Sequence, residues 1–334
     1  MGCKPTTLRS DNKIVNDSKN NLTNSSDNID NNIEINWKAK NKTSVYHWWP
    51  MLQTYEDDED PINNLYAEGG GLYKYDKLFN TNGIKYQKEN YCISIDSERK
   101  DKNWAGFCDR AAMLSCLYEY PRRAVTVRVE GKETIFKTRD IEALMIIAAD
   151  NSTRNGLSVF YGSRNNKNPK ILTSTNEAQK KLYQIHKNEP LPLELFEILK
   201  RFSKEEEPFV MDIDNGNAVW NYSFDSIKVI REPINIGEYN LYKEGKNIIY
   251  RFIIESKAYP DKNLNILGCV NYHNNFIRQK WLSGKNPDFL WKDYPKLDAW
   301  RGRCKMNPNY NAFYIYQIYK QSLLDDDKIL NFKV

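Results

Sequence analysis

The apolar residues of this 334-residue chain change their period partway along. Before Phe209 they recur mainly at helical spacing, in Leu72 to Phe79, Ala111 to Tyr118, Arg139 to Ala149 and Leu193 to Phe202. From Phe209 onward they alternate or form short β-rich runs: Phe209 to Ile213, Ala218 to Tyr222, Ser226 to Ile230, Lys246 to Glu255 and Asn265 to Tyr272. Helices gathered ahead of strands predict an α+β fold in which helices pack on a mainly antiparallel sheet. Two features cross that division. Ala124 to Val129 alternates as a strand, turns at Glu130-Gly131-Lys132 and finds a hairpin partner in Thr134 to Lys137. A last helix is predicted over Ala312 to Leu323, and a further helical pattern covers Glu177 to His186.

Residues 1–43 are rich in Asn, Asp, Ser, Thr and Lys, too polar to repay their ordering entropy, and read as a disordered tether. Order is expected from the aromatic cluster Tyr46-His47-Trp48-Trp49-Pro50, and one domain spans 44–330. The opening Met1-Gly2-Cys3-Lys4-Pro5-Thr6 fits an N-myristoylation signal at Gly2, with Cys3 available for a palmitate. Two acyl chains give stable peripheral membrane association where one gives only marginal binding. Two other readings stay open: a bacterial lipoprotein with Cys3 left at the front after signal cleavage, and a polar tail with no anchor, which leaves the chain soluble. No apolar run is long enough to span a bilayer.

The formal charge of +5 is spread among interleaved acidic and basic residues, so no nucleic-acid footprint is present. Six cysteines without a C-x-x-C pair and only three histidines argue against a zinc site. The acidic run Glu56 to Asp60 lacks calcium-loop spacing and reads as a solvated turn. No metal or organic cofactor is expected.

Chemistry concentrates at Asn103-Trp104-Ala105-Gly106-Phe107-Cys108-Asp109-Arg110, where a glycine-containing loop becomes an apolar helix. Free N–H groups and the positive end of a helix dipole favour a thiolate there, making Cys108 the candidate nucleophile. A thiol nucleophile needs a base and an orienting acceptor. His186 lies between the cysteine helix and the later strands, and Asp212 lies at a strand end entering a turn. Together they give the order Cys, His, Asp. His47 and His273 carry no distinguishing context, and Asp140 reads as a helix cap.

Four separated stretches resemble the elicitor-type transglutaminases of oomycetes and their bacterial relatives. These are Trp49-Pro50 with Asp60-Pro61-Ile62-Asn63 and Lys74 to Phe79; Trp104 to Asp109 continuing to Phe136 and Asp140 to Leu144; Phe209 to Asp212 with Val219-Trp220-Asn221; and Trp281 with Pro287 to Trp291. Their shared order covers residues 45 to about 325. The resemblance implies a papain-like cysteine core that transfers the acyl group of a protein or peptide glutamine to an amine donor, or to water. It implies Cys108 as nucleophile, Asp140 and Asp212 as acidic site residues, and Trp104, Trp220 and Asn221 around the substrate and its oxyanion. Where the resemblance calls for a histidine, the helix reads Pro192-Leu193-Glu194-Leu195-Phe196, with His186 roughly 10 Å away by helical rise. The alternatives are a papain-like peptidase or amidase on the same core, and a membrane-tethered binding protein whose triad has decayed.

Overall fold

A computed structural model describes residues 35–40, 43–51, 64–93, 105–151, 159–162, 189–205, 208–213, 219–233, 241–255, 263–283, 287–292 and 300–333. The architecture is mixed helix and sheet with mainly antiparallel strands, compatible with the expected α+β class. Residues 1–34 and 41–42 of the expected tether, Trp104, the acidic run 56–60 and the predicted helix carrying His186 lie outside these residues.

Six helices and twelve strands are described. Helices α1 (Gly71–Phe79), α3 (Cys108–Leu117), α4 (Thr138–Ala148) and α6 (Ala312–Ser322) share one core with the hairpin β2 (Val125–Val129) and β3 (Lys132–Phe136). The short helix α2 (Gly83–Tyr91) flanks it. Helix α4 lies at the centre and is buried from Asp140 to Ala148, which is why its sequence is apolar almost all round. Its first turn is held by Asp140, whose carboxylate accepts the Lys137 N–H at 2.7 Å. Asp140 is thus the third helical residue of a capping box and not the cap itself. The hairpin turns on Glu130 and Gly131, both at positive φ, the geometry a two-residue primed turn requires. Strand β12 (Leu330–Phe332) adds to β2 in parallel and completes a three-stranded sheet.

A second core fills the space between two larger sheets. One has the order β1-β7-β8-β9-β10, built from β1 (Ile35–Lys38), β7 (Ser226–Pro233), β8 (Lys246–Glu255), β9 (Asn263–His273) and β10 (Phe276–Trp281). The other has the order β4-β11-β5-β6, from β4 (Val159–Gly162), β11 (Phe289–Lys292), β5 (Phe209–Asp212) and β6 (Asn221–Phe224). Helix α5 (Pro192–Lys204) joins this core through Leu195, Phe196, Leu199 and Phe202, an i, i+4 stripe.

Strand β1 corrects the expected extent of the tether. Residues 35–38 belong to a sheet because Trp37 buries beside Phe209, Ile35 packs on the same core, and the segment pairs in register with β7. Strands β4, β10, β11 and β12 and helix α2 also lack a counterpart in the sequence reading. The predicted strand Ala218 to Tyr222 falls instead at 221–224.

The four-stranded sheet divides its side chains by parity. Phe209, Met211, Phe224 and Leu290 enter the second core. Val210, Asp212, Asn221, Ser223 and Trp291 take the opposite face, toward α3, which packs on β5 and β6. Ala111 and Ala112 permit that close approach of helix to sheet. The start of α3 therefore meets a polar patch of sheet.

Candidate active site

Cys108 is the first residue of α3, and its sulfur faces the β6 end of the four-stranded sheet. The thiol donates to the Val219 carbonyl at 3.3 Å, and Asn221 Nδ2 donates to the sulfur at 3.5 Å. Asn221 Oδ1 accepts the Trp291 indole N–H at 2.9 Å. An indole is only a donor, so this bond fixes which end of the amide meets the sulfur.

The segment 43–51 forms the other wall. Thr43 is tied by its N–H and hydroxyl to the Asp225 carboxylate at 2.9 and 3.0 Å. Ser44 and Tyr46 then bond along α3 through Ser115. At the far end Phe107 N–H donates to Trp48 O at 2.7 Å, Met51 N–H donates to Ala105 O at 2.9 Å, and Pro50 bridges Gly106. Gly106 is required here because a Cβ would lie 2.1 Å from the Trp48 ring. These contacts place His47 and Trp48 on the cleft that Cys108 also lines.

His47, Trp48, Cys108, Arg139, Trp220 and Asn221 are among the residues lining a cleft of about 520 Å³. Trp48 and Trp220 meet edge to face, 5.4 Å between ring centres. Beneath them lies the fully buried Glu142, which accepts from the His47 N–H, from Tyr120 Oη at 3.0 Å and from Arg139. The Arg139 guanidinium also covers the Trp49 ring at 4.5 Å. Burial raises the Glu142 carboxyl above its ordinary range, opposed by Arg139 and these hydrogen bonds.

The electrostatics reverse one expectation. Cys108 sits at a helix N-terminus, yet its thiol is pushed up to about 11. Burial is the largest cause, the Asp109 carboxylate adds to it, and the Asp212 carboxylate contributes in the same direction. The Asn221 N–H groups act against the shift without overcoming it. The dipole is outweighed, and the Cys108 thiol is neutral at pH 7. His47 moves the other way, down to about 4, through burial and then through Arg139. Its imidazole is neutral at pH 7.

Among the residues singled out in the sequence, Cys108, Asp212, Trp220 and Asn221 come together. Asp212 lies directly across the ladder from Asn221, and its Oδ1 accepts the Trp220 N–H at 3.2 Å. Asp140 does not join them: it pairs with Lys74 at 2.5 Å and holds the start of α4. Trp104, His186, Gly2 and Cys3 lie outside the described residues. His47 and Arg139 are the cleft residues that the sequence reading passed over as site groups. The one available signal for His47 was a histidine in an aromatic cluster, which does not by itself identify a neighbour.

Among the described residues no group of three His, Cys, Asp or Glu side chains is arranged to hold a metal ion. No helix among them is long and apolar enough to cross a membrane. Comparison with family models, with curated proteins and with solved structures finds no match to this chain.

Proposed function

We propose that this chain is a transglutaminase-like acyltransferase on a papain-like arrangement, with Cys108 as nucleophile. The observation that carries the reading is a thiol at the start of a helix, in a cleft it shares with a neutral histidine and with an amide donor aimed at its sulfur. The Cys108 sulfur attacks a glutamine side-chain carboxamide, and its proton passes to His47 as the carbon–sulfur bond forms. Asn221 Nδ2 and the Cys108 N–H donate to the oxyanion. Collapse expels ammonia, which takes the proton from His47 and leaves a thioester. A lysine amine, or water, then attacks the thioester and restores the thiol. With the thiol at about 11 and the imidazole at about 4, prior ionisation of the pair is steeply uphill, so proton transfer accompanies attack. The Trp48 and Trp220 rings suit the methylene stems of glutamine and lysine side chains.

The test is incorporation of a fluorescent primary amine into a glutamine-bearing protein. Cys108→Ala abolishes it with an unchanged circular-dichroism spectrum; undiminished incorporation would sink the assignment. His47→Gln is expected to remove thioester formation while His186→Gln leaves it, and the reverse result returns the base role to His186. Product analysis with and without amine separates transfer from hydrolysis. One observation favours a second reading, a cleft that binds such chains without turning them over: the thiol is neutral and engaged with the Val219 carbonyl. Saturable binding of a glutamine peptide without any acyl-enzyme in the mass spectrum would establish that reading. Acylation of Gly2 and Cys3 stands as a separate proposal, tested by metabolic labelling with alkyne fatty acids.

A further inference from the structure

The most exposed large apolar side chain of the described residues, Phe276, is not at the cleft, and its neighbour in sequence is exposed as well. Phe276 is 70% exposed and Ile277 is 53% exposed, and they are consecutive. They open β10 directly after the two-residue turn Asn274-Asn275, so they stand at the tip of the β9–β10 hairpin on the outer edge of the five-stranded sheet. An apolar pair in that position gains nothing from the fold.

The surroundings of the tip are basic. Arg278 and Lys280 follow on the same strand face as Phe276, and both lie over the Tyr242 ring, at 5.8 and 5.0 Å. Exposed Lys243 stands on the segment leading into β8, and exposed Lys246 opens that strand. Gly245 presses that segment against Tyr272 and His273 so closely that a Cβ would lie 2.5 Å from the Tyr272 carbonyl. The acidic residue of the group, Glu244, faces His273 at 3.6 Å. The result is an exposed apolar hairpin tip with four cations, one tyrosine and a single carboxylate on the strand and turn beside it.

We infer that this hairpin tip is a membrane-contacting element that inserts Phe276 and Ile277 into the surface of an anionic bilayer. Two side chains on a hairpin tip bury far less than the roughly 800 Å² per partner of a stable protein complex. A bilayer makes no such demand, because apolar insertion and cation–headgroup attraction add along a deformable surface. Tyr242 among the cations matches the aromatic residues that favour the headgroup level. This inference is independent of the chemistry at Cys108.

The experiment is co-sedimentation of the full chain, carrying Gly2→Ala and Cys3→Ser so that no acyl chain contributes, with vesicles of phosphatidylcholine alone or with roughly 30% phosphatidylserine. Binding is expected on the mixed vesicles, weak on the neutral ones, and reduced by added salt as headgroup attraction is screened. Phe276→Ser with Ile277→Ser should lower the partition coefficient on the order of tenfold, and Arg278→Glu with Lys280→Glu should lower it comparably. A second measurement places an environment-sensitive dye on Phe276→Cys, expected to shift to the blue only with anionic vesicles. Equal binding by the Ser variant, no dye shift, or self-association through the tip without vesicle binding would each overturn the inference.

Discussion

Asn221 is held between two unlike neighbours, the Trp291 indole and the Cys108 sulfur. Trp291→Phe removes the donor that fixes the amide, which is then able to present its oxygen to sulfur and to disfavour the thiolate. The expected outcome is a slower iodoacetamide reaction at Cys108 and a higher midpoint in its pH profile, with the melting temperature little changed. For the unmodified chain that profile should keep rising past pH 9 and reach its midpoint near the value of about 11 set by burial and Asp109. A midpoint near 8.5, the ordinary thiol range, would contradict the described surroundings of the sulfur. Cys108 itself was legible in the sequence because a loop-to-helix junction is a local pattern. Its neutral state was not, because the burial and the Asp212 carboxylate come from strands a hundred residues away.

At the scale of elements, the segment 43–51 decides whether the cleft has a second wall. Gly106→Ala would drive a methyl group into the Trp48 ring and toward Trp49 O, so either the segment or the loop before α3 has to move. A loss of about 1–3 kcal/mol is expected by analogy with other overpacked sites, read as a lower denaturation midpoint, together with faster alkylation of Cys108. Unchanged values of both would show that this contact is not structural. Helices α1, α4, α5 and α6 and the hairpin of β2 and β3 were legible, since each declares itself through a period, a cap or a turn within its own residues. Strand β1 was not read, although Ile35 and Trp37 alternate with polar residues, because so short a period inside an Asn- and Asp-rich stretch is decided only by its pairing with β7. His47 escaped for the same reason: its place on the cleft is set by the Pro50 to Gly106 bridge and by the buried Glu142, not by the residues beside it in sequence.

For the molecule as a whole, pH acts on stability through groups the fold holds away from their ordinary values. His47 titrates near 4 when folded and near 6.5 when unfolded. Below pH 6.5 the unfolded chain takes a proton that the folded one refuses, so stability falls as pH drops from 6.5 and this contribution is gone below about 4. His47→Gln should flatten that part of the curve relative to the parent chain; parallel curves in chemical denaturation would refute the buried setting of His47. Cys108 works in the opposite direction. Its raised thiol makes the folded state lose ground as pH climbs from about 9 toward 11. The strand order of the four-stranded sheet carries a further consequence, one of time. Strand β11 lies between β4 and β5, both of which precede it in the chain. Until the ribosome has released residue 292, β4 and β5 have no partner between them, and β6 has only β5. Trp291 arrives with that same strand, so the amide that meets the Cys108 sulfur is locked last, and a growing chain carries its thiol unsupervised until the sheet closes.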